Sequence, residues 1–427
     1  MYTEKSNCVN NYKIIKRYRM EKKDYKLFLS LFLWMLIPSI YNVVKMNIIS
    51  INQVDINILG QMEWFDLIDE VLVTTLTVPL FSLLKPNISS KEKNTSALII
   101  SFGIYSVFAV ITSTYISNIS IFMNAEFASE YLKLQVVSLL VGFIGTFCIM
   151  LLTINNDFKM VVILTISKSA ILCCLDFVFI DAFLEIGASY SEIITNALIG
   201  IIALTIVYIR KYIGIGKVDL HWLKDYLKIG LFSGLQIFLD NFIYAVMICK
   251  MVNAVSESGN YWIANNFIWG WLLIPIMVIT EIIKKNNLGK LDFKNAWGYG
   301  LIVSALWLIS IPTWKWFIIN VMSADANTIL NILYPLVPFY FAYIISSFID
   351  AWFISKGKTF YNTFNSFIVN IVYYGIAFVF FRKGLFELSI MFVILLFGFG
   401  NVVHMLISVL LYKYELRKIK FNMSSNQ

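Results

Sequence analysis

The chain has 427 residues, 59% of them hydrophobic and only 14% charged, with a formal net charge of +8. That composition leaves no water-soluble domain. Two histidines and five cysteines, none at metal-ligand or disulfide spacing, argue against a metal centre or a disulfide framework.

About twelve apolar stretches follow one another from Lys26 to Tyr414, each near the ~20 residues a helix needs to cross a bilayer. Unpaired backbone amides cost several kcal/mol in hydrocarbon, so each stretch is read as a helix. In chain order the spans are 25–50, 58–84, 96–117, 131–153, 160–182, 190–210, 224–252, 261–284, 295–321, 328–354, 360–381 and 387–412. The polar, basic start lacks the apolar core of a signal peptide. Lys and Arg cluster before Lys23 and recur near Lys85, Lys159, Arg210, Lys284, Lys356 and Lys413, at every second connection. The alternate connections carry none, save Arg382 and Lys383. Such alternation suits a positive-inside membrane protein rather than a nucleic-acid binder, and it places both termini in the cytoplasm. Cys173 and Cys174 are adjacent and read as packing residues. His404, the one histidine within a span, reads as a helix–helix contact.

The basic loop after the sixth span divides the chain in two. The expected organisation is a cytoplasmic tail (1–24), a six-helix bundle (25–210), a central cytoplasmic loop (211–223), a second six-helix bundle (224–412) and a cytoplasmic tail (413–427). Laying Pro38 on Ser233 puts Lys45 on Asp240 and Asp55 on Lys250, so the first and seventh spans carry one acid and one base with the signs exchanged.

An ionisable residue in mid-membrane costs about 2.5–3.5 kcal/mol and therefore faces a cavity or a partner. Asp176 and Asp240 lie deepest in apolar sequence. Asp66, Asp69 and Glu70 share one helix face, which must line water or meet Lys45 or Lys168. Glu281, Lys315 and Lys250 lie near span ends, where snorkelling is cheap. Tyr261 and Trp262 read as membrane-rim residues, whereas Asn266, Trp269, Tyr343 and Ser346 lie deeper and are candidates for a substrate cavity.

Residues 172–198, LCCLDFVFIDAFLEIGASYSEIITNAL, resemble the fifth and sixth spans of multidrug and toxic compound extrusion (MATE) transporters, through Leu175-Asp176, Phe179-Ile180, Gly187 and Thr195. Val54-Asp55 followed by Gly60 resembles the family's motif after the first span, and Asp157 with Lys159 resembles the ending of the fourth. The resemblance is spread over the whole chain through degenerate motifs. It implies an all-α integral membrane protein, twelve transmembrane helices in two pseudo-symmetric six-helix bundles arranged as a V. It also implies a cation site, for a proton or a sodium ion, at Asp55, Asp176 and Thr195. Leu172 stands where relatives supply an asparagine oxygen, which weakens a sodium cage more than a proton site. Asp240 and Asp350 are the acid candidates of the second bundle, although Ile345 or Ser346 falls where some relatives carry an aspartate.

The expected function is therefore cation-coupled antiport of lipophilic organic cations across a bacterial plasma membrane. The protein would be a monomer among membrane lipids, with no cofactor beyond the coupling ion. A flippase for lipid-linked saccharides is the alternative, if Lys45, Lys168 and Lys250 all face inward to hold pyrophosphate. An intramembrane enzyme is disfavoured, because no HExxH or GxSxG motif and no pair of intramembrane histidines occurs.

Overall fold

A computed structural model describes residues 22–84, 91–155, 157–214, 220–285 and 293–424. The basic N-terminal tail up to Glu21, Lys85, Lys217 and Lys290 lie outside the described residues, among which every regular element is helical.

The spanning helices are α1 (Lys22–Ile51), α2 (Glu63–Leu83), α3 (Lys91–Phe122) and α4 (Ser129–Ile154). One 52-residue run, Phe158–Ile209, folds over at Leu184 to give α5 (158–183) and α6 (185–209). Then come α7 (Leu223–Tyr244, prolonged to Ala254), α8 (Ser258–Phe267 continuing to Lys285), α9 (Phe293–Asn320), α10 (Ala326–Ser355), α11 (Phe360–Arg382) and α12 (Ile390–Ser424). Nine described helices are long and apolar enough to span a membrane, and α8 makes a tenth although it is bent by 56°. Counting α5 and α6 separately and adding the 21-residue, acid-bearing α2 gives the expected twelve.

Local chemistry accounts for the departures from the expected boundaries. The second span does not begin at residue 58, because Asp55 N-caps a separate short helix, Ile56–Gly60, by accepting the Asn57 N–H at 2.9 Å. The segment DAFLEIGAS, expected as a loop, is helical on both sides of Leu184, whose φ of +53° lies in the left-handed region. The reversal brings backbone against backbone. A Cβ at Gly187 would stand 2.0 Å from the Phe179 carbonyl oxygen, so only glycine fits.

Both ends of the chain's two halves meet along paired seams. On one side α1 packs on α8, through Phe28, Phe32, Met35 and Leu36 against Ile274, Val278 and Ile282. On the other, α2 packs on α7, where the buried Tyr226 hydroxyl donates to the Leu76 carbonyl at 2.9 Å. Between the seams lies a large cavity. Three stretches of the second half are π-helical, at residues 245–249, 268–272 and 368–374. Wide turns of this kind recur at functional sites, since each re-aims the side chains that follow. Trp269, Asn370 and Tyr374 all project into the cavity from such turns.

The end of the molecule opposite the main basic loops is closed. The short helix after α1 lies directly on the start of α8. Gly259 N–H donates to Asn57 Oδ1 at 2.9 Å and Ser258 Oγ to the Asn57 carbonyl at 3.1 Å. Asn253 reaches the Met123 carbonyl at 2.9 Å, Asn47 reaches the Val321 carbonyl at 2.6 Å, and Ser323 bonds Asn47. Neutral hydrogen bonds of this kind contribute only about 0.5–1.5 kcal/mol each. The seam is specific, but each of its bonds is weak enough to part.

Candidate functional site

The cavity between the halves has a volume of ≈780 Å³. It reaches Glu281 and Lys284 at the end of the molecule that carries the basic loops. Its wall is acidic. Glu63, Asp66 and Glu70 stand on α2, Asp240 on α7 and Glu281 on α8. Among the described residues the one lysine in that wall, Lys284, is bound to Glu281 at 2.8 Å. Tyr244, Trp262, Trp269, Tyr343 and Tyr374 supply aromatic surface. Trp269 packs edge-on against both Tyr343 and Tyr340, with ring centroids 5.3 and 6.3 Å away. Asn42 on α1 donates to Asn266 on α8 at 3.0 Å, Glu63 accepts from Asn265, and Glu70 accepts from Asn241 at 2.8 Å, so amides bridge the halves inside the cavity.

Behind the cavity, in the second half, the acids are held by hydroxyl, amide and imidazole groups. Asp240 accepts from Ser366 and, at 2.8 Å, from Asn370, both on α11. Asp350 on α10 meets His404 Nε2 on α12 at 3.1 Å and accepts from Ser408 at 3.0 Å. His404 itself faces the cavity.

A second polar cluster is buried in the first half and does not open on the cavity. Asp176 is 0% exposed; Tyr41 donates to its Oδ2 at 2.7 Å and Ser191 to its Oδ1. Beside it, Lys45 Nζ pairs with Glu192 Oε1 at 2.7 Å. Thr195 is also fully buried, and its hydroxyl has no partner. Gln135 donates to Ser189 at 3.1 Å and Asn196 to Ser138 at 2.9 Å, fixing α4 against α6. Serine and threonine are amphoteric, so this lining accommodates a carboxylate or a carboxylic acid equally.

By sequence, no family model and no curated protein matches the chain. By structure the likeness is extensive. A multidrug resistance MATE family transporter of the MOP superfamily, in its inward-facing conformation, superposes with a TM-score of 0.71 at 17% identity, over 90% of this chain and 95% of that one. MATE in the bent conformation gives 0.64 at 16% identity, over 96% and 99%. A MOP superfamily transporter from Pyrococcus furiosus, described as having a binding pocket of reversed polarity that suggests a different function, gives 0.64 at 16%, over 93% and 96%. The chain has the MATE fold.

Within that fold the candidate residues separate into those brought together and those kept apart. Asp176 and Thr195 belong to the buried cluster of the first half. Asp55 does not join them: its carboxylate caps the short helix at the closed end, where it is exposed, and the expected contact with Asp176 is absent among the described residues. Of the substrate-cavity candidates, Asn266, Trp269 and Tyr343 line the wall of the MATE-fold cavity. Ser346 does not; it is 2% exposed and bonds back to the Tyr343 carbonyl. Lys45 and Lys168 are also absent from that wall, Lys45 because Glu192 holds it inside the first half. Lys250 is no snorkelling residue but lies 5% exposed with its ammonium 3.6 Å from the Phe122 ring centroid. Asp240 lines the wall, whereas Asp350 reaches it only through His404.

Two further expectations need correction. Asp66 and Glu70 do line the cavity, but Asp69 turns into the first half and accepts from Tyr105, since at about 3.6 residues per turn it stands about 100° round the helix from Glu70. Tyr261 and Trp262 are not rim residues. Tyr261 is 1% exposed and bonds Tyr244 at 2.6 Å, while Trp262 lines the wall, because the bend of α8 carries this stretch between the bundles. Sequence reasoning missed Glu63, Tyr41, Ser191 and Glu192. For Glu192 a signal existed: it lies three residues before Thr195, on the same face of an apolar helix.

Proposed function

We propose that this protein exports lipophilic organic cations by alternating access, in exchange for protons. One observation carries the reading: among the described residues the cavity wall holds five carboxylates, and its one lysine is neutralised by Glu281. A desolvated acidic and aromatic surface attracts a soft cation through charge and through ring faces, and repels phosphate. The positive-inside rule makes the basic end cytoplasmic, so the cavity is open to the cytoplasm and sealed outside, the state that loads cargo for export.

For coupling we assign Asp176, with the buried Thr195 one helical turn along from its partner Ser191. The carboxylate has hydroxyl partners that serve it charged or neutral, and Leu172 offers no oxygen to complete a sodium cage. The missing oxygen at Leu172 weakens a sodium cage more than a proton site, and on that ground we favour the proton. Protonation shifts the balance of inward-open and outward-open states by the difference in proton affinity between them. The flippase alternative has less support, since among the described residues none of Lys45, Lys168 and Lys250 lines the cavity.

Binding tests the proposal. A fluorescent lipophilic cation should bind the purified protein and be displaced by other organic cations. Displacement by a lipid pyrophosphate, with no binding of the cation, would reverse the assignment.

A further inference from the structure

Asp176 poses a problem for any exchange mechanism. It is fully buried and separated from the cavity, so a proton there cannot compete directly with cargo. A titratable group on the cavity wall itself would do so.

His404 has that position. It projects from the middle of α12 into the cavity, 26% exposed, with Asp350 Oδ2 3.1 Å from its Nε2. The carboxylate fixes the tautomer: Nε2 carries the hydrogen and donates it, leaving Nδ1 as a free acceptor when the ring is neutral. Asp350 is itself held by Ser408, which Asn365 supports at 2.8 Å. The imidazole is therefore anchored by Asp350 while the residue borders the cavity.

We infer that His404 is the proton site of the cargo cavity, and that its protonation discharges a bound organic cation. This rests on the exporter reading given above. The neighbouring charges set its sense. Asp350 faces the ring from α10 and Tyr374 from α11, and Asp240 stands on α7 nearby; Asp66 and Glu70 look in from α2 across the cavity. On the α7 extension, the segment packed against α12, Lys250 is turned away onto Phe122. On α12 itself Glu415 is bound to Lys358 at the far end. With neutral histidine this group of acids holds a cation. A proton taken from water onto Nδ1 yields an imidazolium beside the same acids, which fills their charge requirement and repels the cargo. When the cavity opens to the cytoplasm, Nδ1 returns the proton to water and the acids are free again. No bond other than N–H is made or broken. Histidine suits the task because its ordinary titration lies near physiological pH.

The test measures affinity of the full-length protein, in nanodiscs, for tetraphenylphosphonium between about pH 5.5 and about pH 8.5, the range over which histidine titrates. Wild type should bind roughly tenfold more weakly at the acid end, as expected for direct charge competition. His404→Gln should bind with a clearly shallower profile, the acids of the wall supplying what pH dependence remains. Asp350→Asn, which removes the acid that favours the imidazolium, should move the wild-type transition to lower pH and serves if the glutamine variant fails to fold. A His404→Gln profile that keeps the wild-type slope, or an unmoved transition in Asp350→Asn, would overturn the inference while leaving the exporter reading intact. A pH-independent wild type would do the same. Absence of cation binding at every pH would remove the exporter reading, and this inference with it.

Discussion

Lys45 on α1 and Glu192 on α6 form an ion pair of 2.7 Å within the first bundle, with side-chain exposures of 9% and 22%. The pair stands next to Asp176, so Lys45, Glu192 and Asp176 share one polar pocket. Breaking a buried pair from one side costs about 3–5 kcal/mol, because an unmatched charge stays behind. Lys45→Met should therefore destabilise the protein by roughly that amount, while Lys45→Met with Glu192→Gln together should recover most of the loss. Thermal unfolding in detergent distinguishes them; an additive double variant would show that the two do not act as a pair.

Asp176→Asn should preserve the fold and abolish gradient-driven transport. An amide oxygen still accepts one hydroxyl, and the amide nitrogen donates to the other, so the packing of Tyr41 and Ser191 survives. What is lost is the ability to gain and release a proton. Counterflow exchange of labelled cargo, which needs no net proton movement, should persist in the variant; loss of both activities would assign Asp176 to structure alone.

At the closed end, the two bundles touch through glycine. A Cβ at Gly259 would lie 2.4 Å from Ile56 Cγ2 and 2.8 Å from the Ile56 carbonyl carbon. Gly259→Ala forces that seam apart at about 1–3 kcal/mol, the usual penalty of overpacking. The variant should favour the outward-open state by about fivefold or more. Met46→Cys, at a residue now 2% exposed that lines a separate pocket at the closed end, should then react much faster with an impermeant maleimide in a background lacking the native cysteines. An unchanged rate would mean that the seam does not hold the outer end shut.

The sequence made the membrane class, the twelve spans and the depth of Asp176 and Asp240 legible, because hydrophobic length and buried charge have local signatures. It also showed which loops are basic. Partners across the fold were another matter. Lys45 finds Glu192, 147 residues away, and His404 finds Asp350, in a different helix. No spacing rule links such pairs, since the packing of whole helices decides them. The misreading of Asp55 has a simpler cause. A capping carboxylate and an ion ligand look the same in sequence, and only the turn at Asn57 reveals which is present. Likewise Trp262 passed for a rim residue because the 56° bend of α8 is invisible in its hydropathy.

Within the cavity, Asp240→Asn should weaken cation binding by about 1.5–3 kcal/mol, tenfold or more, by removing a charged acceptor. The loss should be uniform among lipophilic cations of different shape. Trp269→Ala, in contrast, should affect flat aromatic cations most, because its ring supplies a face rather than a charge. Titration of a panel of fluorescent cations would separate the two effects, and a shape-selective Asp240→Asn would contradict this division of roles.

The most direct measurement is efflux of a fluorescent lipophilic cation from cells making the wild type or Asp240→Asn, with the proton and sodium gradients collapsed in turn. An acid-walled exporter predicts efflux that stops when the proton gradient is lost, continues without sodium, and falls sharply in the variant. Wild-type cells that retain the dye as fully as cells lacking the protein would contradict the account.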